Sequence, residues 1–163
     1  MVVSLPKAGL QAAFRLIGEL TLTVRDAKGR VKDRRVLRNV ITDVGKAQVA
    51  GLINGVVTTP FKHVGIGTGT TSETASDTSL EYEIKRKEGT VDRTTTSVTN
   101  DTAKVEATFS SADGLSGSHA VTEAGLFDAS SGGNMLCRKT FDPLNINWDA
   151  GDTLTITWKV QVS

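Results

Sequence analysis

A chain of 163 residues with a formal net charge of +1 is the size of one domain and can bury most of its apolar surface without a metal or cross-link. Its one cysteine, Cys137, excludes an intrachain disulfide framework and a cysteine-based metal cluster. The near-neutral balance excludes a global field that would draw in nucleic acid or an anionic membrane, and no run reaches the ~18 apolar residues of a membrane span.

The opening stretch, MVVSLPKAGLQAAFRLIG, sets Leu5, Leu10, Phe14 and Ile17 on one side of a short helix, with Ser4 as N-cap and Pro6 in the first turn. Lys7, Gln11 and Arg15 interrupt any leader-like apolar core. Residues 1–18 are therefore expected to form an N-terminal arm, whose apolar stripe lies on its own domain or on a neighbouring subunit, and residues 19–163 a single β domain.

From Glu19 the pattern alternates: Leu20, Leu22 and Val24 face one way, Thr21, Thr23 and Arg25 the other, as in a half-buried strand. Asp26–Gly29 is a turn signal, so the next strand returns as a hairpin. That return is basic. Arg25, Lys28, Arg30, Lys32, Arg34, Arg35 and Arg38 are opposed only by Asp26 and Asp33, which reads either as a solvated sheet edge that resists pairing with strangers or as a docking surface for an acidic partner. The stretch has no aromatic residue for base stacking, so nucleic acid is not expected there.

One helix is predicted near residues 42–54, capped by Thr42 or Asp43 and stopped at Asn54-Gly55, with Val44, Ala47, Ala50, Gly51 and Leu52 or Ile53 as its buried stripe. Gly65-Ile66-Gly67-Thr68-Gly69 invites a nucleotide-binding reading, which fails: the third fingerprint position is Thr70, no Lys-Ser/Thr pair follows, and a Ser/Thr/Asp loop replaces the expected helix. Glycines there let a strand pass close to another backbone before a long loop. Residues 83–99 read as one long polar strand, and Val105, Ala107 and Phe109 as inward positions of another. Residues 112–118 form a loop, 120–141 a hairpin, and Leu154, Ile156, Trp158 and Val160 the inward face of the last strand. About eight strands and one early helix imply a mainly β fold, an antiparallel sandwich or squashed barrel.

The chemistry-bearing residues do not converge. His63 and His119 are the only histidines, and within a strand the four-residue spacing of His119 and Glu123 spans ~13 Å, too far for one metal. Gly114–Ser118 ends in serine where a nucleophile elbow needs glycine. Asp149 and Asp152 around Ala150-Gly151 suit a turn better than a calcium loop. Trp148, Trp158 and Tyr82 could form a sugar platform; Trp158 has core parity, leaving Trp148 as the exposed candidate. No catalytic, cofactor or metal site is assigned.

The succession RNVITDVGKAQVAGLING, FKHVGIGTGTTSETASDTSL, VTEAGLFDASSGGNMLCRKTF and WDAGDTLTITWKVQV resembles small structural and fibre-associated domains of tailed bacteriophages. The likeness spans roughly residues 19–162 and leaves the arm unexplained. It implies a non-enzymatic virion protein, made in the host cytoplasm, without cofactor, repeated as a homo-oligomer, and contacting neither nucleic acid nor membrane. Capsid decoration, bridging subunits of the major capsid protein, is the favoured placement; a tail or baseplate protein that mounts fibres is the alternative, and a carbohydrate-binding module the alternative of another class. Under this reading Glu123 is structural, accepting hydrogen bonds that fix a turn or neighbouring strand. Gly125 allows close backbone approach, Leu126 and Phe127 straddle the sheet, and Trp158 fills the core. Leu5, Leu10, Phe14, Ile17, Arg30, Arg34, Arg35 and Arg38 are the expected partner-binding residues.

Overall fold

The computed structural model describes residues 14–163. In chain order the elements are β1 (Leu16–Arg25), β2 (Val31–Arg38), β3 (Val40–Ile41), α1 (Asp43–Asn54), β4 (His63–Gly67), β5 (Glu83–Glu88), β6 (Thr90–Thr94), β7 (Thr102–Phe109), β8 (Ser118–Phe127), β9 (Met135–Asn147) and β10 (Thr153–Val162). They form two five-stranded sheets, β2-β1-β10-β7-β6 and β3-β9-β8-β4-β5, antiparallel throughout. Both sheets keep open edges, so the fold is a sandwich and not a barrel.

The alternating segments make the core. Leu20 and Leu22 of β1, Phe109 of β7, and Leu154, Ile156 and Trp158 of β10 meet Val64, Ile66, Val121, Leu126, Leu144 and Ile146 of the second sheet, all at 2% exposure or less. Between the sheets the chain changes layer four times, at Asn39 from β2 to β3, at Gly89 from β5 to β6, and in the loops from β7 to β8 and from β9 to β10. A Cβ on Gly89 would stand 2.8 Å from the Glu106 carbonyl oxygen, so the corner there needs glycine. This corner corrects the single long strand expected over residues 83–99, and residues 95–101 leave β6 as a turn.

Helix α1 starts where the capping residues predict. Thr42 accepts the Gly45 amide at 2.9 Å, and Gly55 closes the other end in the left-handed region at φ 79°. Its inward face differs from the expected stripe. Gly45 is buried, since its Cα lies where a Cβ would come within 2.7 Å of the Leu136 backbone, and Val49 and Leu52 follow it inward. Ala47 and Ala50 are exposed. At the start of the described chain, the helix expected over residues 5–17 does not extend to Ile17: Leu16 and Ile17 belong to β1, and Arg15 exchanges backbone hydrogen bonds with Ser163 at 2.7 and 2.9 Å. Leu5 and Leu10 lie outside the described residues. Among the described residues no helix is long and apolar enough to cross a membrane.

Candidate functional site: a carboxylate clamp and two outer faces

Glu123 sits in β8 with no exposure, flanked in register by Gly67 of β4 and Thr140 of β9. A carboxylate in that position must find donors. Oε1 accepts the backbone amides of Gly69 at 3.0 Å and Tyr82 at 2.7 Å. Oε2 accepts the Glu81 amide at 3.0 Å and two N–H groups of Arg138, at 3.1 and 2.8 Å. All three amides come from the two ends of the loop between β4 and β5, so one side chain draws residues 68–82 onto the sheet.

The glycines that failed as a phosphate motif supply the clearance. A Cβ on Gly67 would lie 2.4 Å from the Tyr82 carbonyl oxygen and 2.5 Å from Glu123 Oε1, and one on Gly69 would lie 2.6 Å from the same oxygen. Neighbouring side chains tighten the loop further. Thr122 donates its hydroxyl to the Gly69 carbonyl at 2.7 Å, and Arg138 reaches Asp77 at 2.8 Å and the Thr71 carbonyl at 3.1 Å. Glu81 accepts the Thr70 and Thr71 amides. Glu73 accepts from Lys139 and Thr140; partial burial raises its pKa, but these bonds outweigh that and hold it down at about 2. Both carboxylate oxygens of Glu123 and four of the five N–H groups of Arg138 are thus used inside the scaffold, the kind of satisfaction that a buried ion pair needs to limit its desolvation penalty.

Beside the clamp, Gly125 stands opposite Gly65, and a Cβ on it would meet Phe127, Met135 and Leu80 at 2.9 to 3.1 Å. Leu126 points into the main core, while Phe127 joins Leu80 and Met135 in a second cluster. The Arg86 guanidinium covers the Phe127 ring at 3.4 Å and donates to the Ala129 and Gly132 carbonyls, fixing the β8–β9 turn.

The proposed aromatic platform is corrected. Trp148 is 1% exposed, its indole N–H donating to His119 Nδ1 at 2.9 Å, and Trp158 is fully buried; Tyr82, 64% exposed, stands alone. Asp152 ends the Asp149–Asp152 turn as an acceptor for the Asn147 amide at 2.9 Å and for Lys32. Among the described residues no group of three His, Cys, Asp or Glu side chains is placed to hold a metal.

The basic stretch forms one edge of the first sheet. Its residues divide by parity: Arg34, Val36 and Arg38 face out beside Thr23, Thr21 and Glu19. Arg35 faces in, donating to the Asp142 and Pro143 carbonyls at 2.6 and 3.3 Å and pairing with Asp33. Arg30 pairs with Asp26 across the turn. Phe14, 59% exposed, opens the opposite feature, an apolar end. There, hollows of about 560 and 350 Å³ flank α1 and share Leu16 and Val49.

The domain is thus a two-sheet antiparallel sandwich whose buried ion pair fixes a loop and whose outward residues are hydroxyls, charges and an apolar end. Residues 42–160 match the family model described as Podophage GP4 fiber I protein gp80, and the chain belongs to that family, a family of phage structural proteins. The match opens at the N-cap of α1 and closes in β10, so β1, β2 and β3 precede it. Neither the curated proteins nor the solved structures offer a match to the chain.

Proposed function

We propose that the chain is a non-enzymatic component of the fibre apparatus of a tailed-phage virion, repeated by symmetry and seated against tail or baseplate proteins. The apolar end carries this reading. Phe14, Ile53, Val91 and Val162 are each between 44% and 73% exposed, and they surround the two hollows beside α1. Clustered apolar exposure of this kind marks a contact surface, whereas scattered single residues do not. The family's description, a fibre protein, favours the tail over the capsid. Capsid decoration is the second reading, supported by a compact sandwich with no fibrous repeat among the described residues.

The test is placement. Gold-labelled antibody against the purified protein is expected to mark the tail end of intact particles; uniform label over the capsid would replace the fibre reading with decoration. In parallel, Ile53→Asp with Val162→Asp is expected to keep the fold by circular dichroism while lowering incorporation into particles at least several-fold. Normal incorporation would remove the apolar end from the interface.

A further inference from the structure

A row of ionised side chains crosses the outer face of the first sheet at right angles to its strands. Register places Arg38 of β2 opposite Glu19 of β1, Glu19 opposite Lys159 of β10, Lys159 opposite Lys104 of β7, and Lys104 opposite Asp92 of β6. Directly opposed side chains on one face stand about 5 Å apart. Within this row only Lys104 makes an ion pair among the described residues, to Glu106 at 3.4 Å. Arg38 and Lys159 have no carboxylate in ion-pair range, and residues 1–13 contain no Asp or Glu to supply one.

A wall rises over one end of the row. Residues 95–101 turn back across the sheet and are locked by Asp101, whose carboxylate accepts the Thr96, Ser97 and Val98 amides at 2.8 to 2.9 Å. Those amide bonds, the Val98 amide first, together with the Thr102 hydroxyl, outweigh the desolvation cost and hold the Asp101 carboxyl well below the usual carboxylate range. Gln161 ties the same loop to β10 through Ser97 and Asp101. Between wall and sheet lies a cleft of about 350 Å³ lined by Glu19, Arg38, Thr95, Thr96, Lys159 and Gln161. That volume suits a ligand of one or two sugar rings. Because the loop is already fixed, binding costs little ordering.

The lining selects among ligand chemistries. Ile17 is the one aliphatic side chain in the lining, so an apolar molecule finds little to bury against, and nucleic acid finds no ring to stack on. A compact dianion would sit between the two cations but against Glu19, which repels it. A single carboxylate can take the Arg38 fork and the Lys159 ammonium, while a neighbouring hydroxyl donates to Glu19 and others reach Thr95, Thr96 and Gln161. We propose that this cleft binds an acidic saccharide, a chain of hydroxylated rings bearing carboxylates. This goes beyond the proposed function and holds whether the chain sits on tail or capsid. With no aromatic ring in the cleft, single-site affinity is weak, and repetition over many copies would supply the rest.

The experiment is saturation-transfer NMR and titration of the full chain with trigalacturonate, with neutral maltotriose and inorganic phosphate as separate arms. Trigalacturonate is expected to bind at about millimolar Kd, with transfer to ring protons, and maltotriose and phosphate at least tenfold more weakly. Arg38→Gln with Lys159→Gln is expected to cost about tenfold or more in affinity, the equivalent of one lost charged hydrogen bond, at an unchanged thermal midpoint. Arg34→Gln, on the same face but outside the cleft, is expected to leave binding unchanged. Equal binding of phosphate, unaltered affinity in the double variant, or no binding of trigalacturonate would each overturn the proposal.

Discussion

Replacing Glu123 by glutamine keeps the shape of the side chain and removes what the loop depends on. Glutamine offers one oxygen in place of two and adds two donors, in a site where all five contacting groups are donors. Whichever way the amide turns, an N–H faces an N–H, and Arg138, 4% exposed in its side chain, loses its fully buried counter-charge and keeps only the more exposed Asp77. Breaking a buried pair by removing one partner costs about 3–5 kcal/mol. For a domain of this size each kcal/mol lowers the midpoint by about 2–4 °C, so Glu123→Gln is expected to melt about 10 °C lower. Arg138→Met is expected to cost less, because the three backbone amides still satisfy the carboxylate. Urea unfolding gives the totals, and hydrogen exchange locates them: the Gly69, Glu81 and Tyr82 amides should lose protection before the core strands do. A midpoint within about 1 °C of the parent, with those three amides still protected, would refute the clamp.

The pH dependence has a definite sign. Glu73 is depressed to about 2 from 4.5 in the folded chain, so its contribution is complete above about pH 4.5 and is lost as pH falls towards 2; Glu73→Gln should flatten that limb of the stability curve. Gly67→Ala should destabilise by more than about 2 kcal/mol, because its Cβ would press on the Tyr82 backbone and the Glu123 carboxylate together; differential scanning calorimetry checks it, and a neutral result would mean that the loop can shift. Arg35→Glu should lower the melting temperature where Arg34→Glu does not, since Arg35 holds two carbonyls of β9 and Arg34 faces solvent. Equal effects would contradict the parity of β2. Burial pushes the Cys137 thiol far above its ordinary value, so a thiol reagent should label it only at the rate of unfolding; fast labelling of the native protein would show that the core opens locally.

Periodicity carried the fold a long way. β1 and β10 follow from alternation, the β8–β9 hairpin from two apolar runs around a glycine-bearing turn, and the limits of α1 from Thr42 and Asn54-Gly55. The sheet change at Gly89 was hidden because residues 83–94 are polar on both parities, so no apolar face says which layer a strand joins. The inward face of α1 is not legible in the sequence because alanine and glycine compete for the same close contact, and the Leu136 backbone admits only Gly45. Trp148 follows a strand and precedes an Asp-Ala-Gly turn, which suggests exposure; its N–H acceptor, His119, is 29 residues away. The candidate site shows the same division. That Glu123 needs acceptor work follows from its apolar neighbours, but its donors lie 15 to 54 residues off along the chain. Arg138, inside an otherwise ordinary strand, gives no local sign that it is one of them.

The pairing of Arg15 with Ser163 has a mechanical meaning. Because β1 and β10 are antiparallel neighbours, the chain enters and leaves the domain at the same end, side by side. Tension applied through those two points would part the ladder one rung at a time, as a zip opens, and would never load its hydrogen bonds together in shear. A domain strung in series along a filament would therefore yield at its first rungs. Force that arrives through the faces or the apolar end meets the ten strands of two packed sheets and a locked loop at once, so this molecule withstands being pressed or clamped far better than being pulled by its ends.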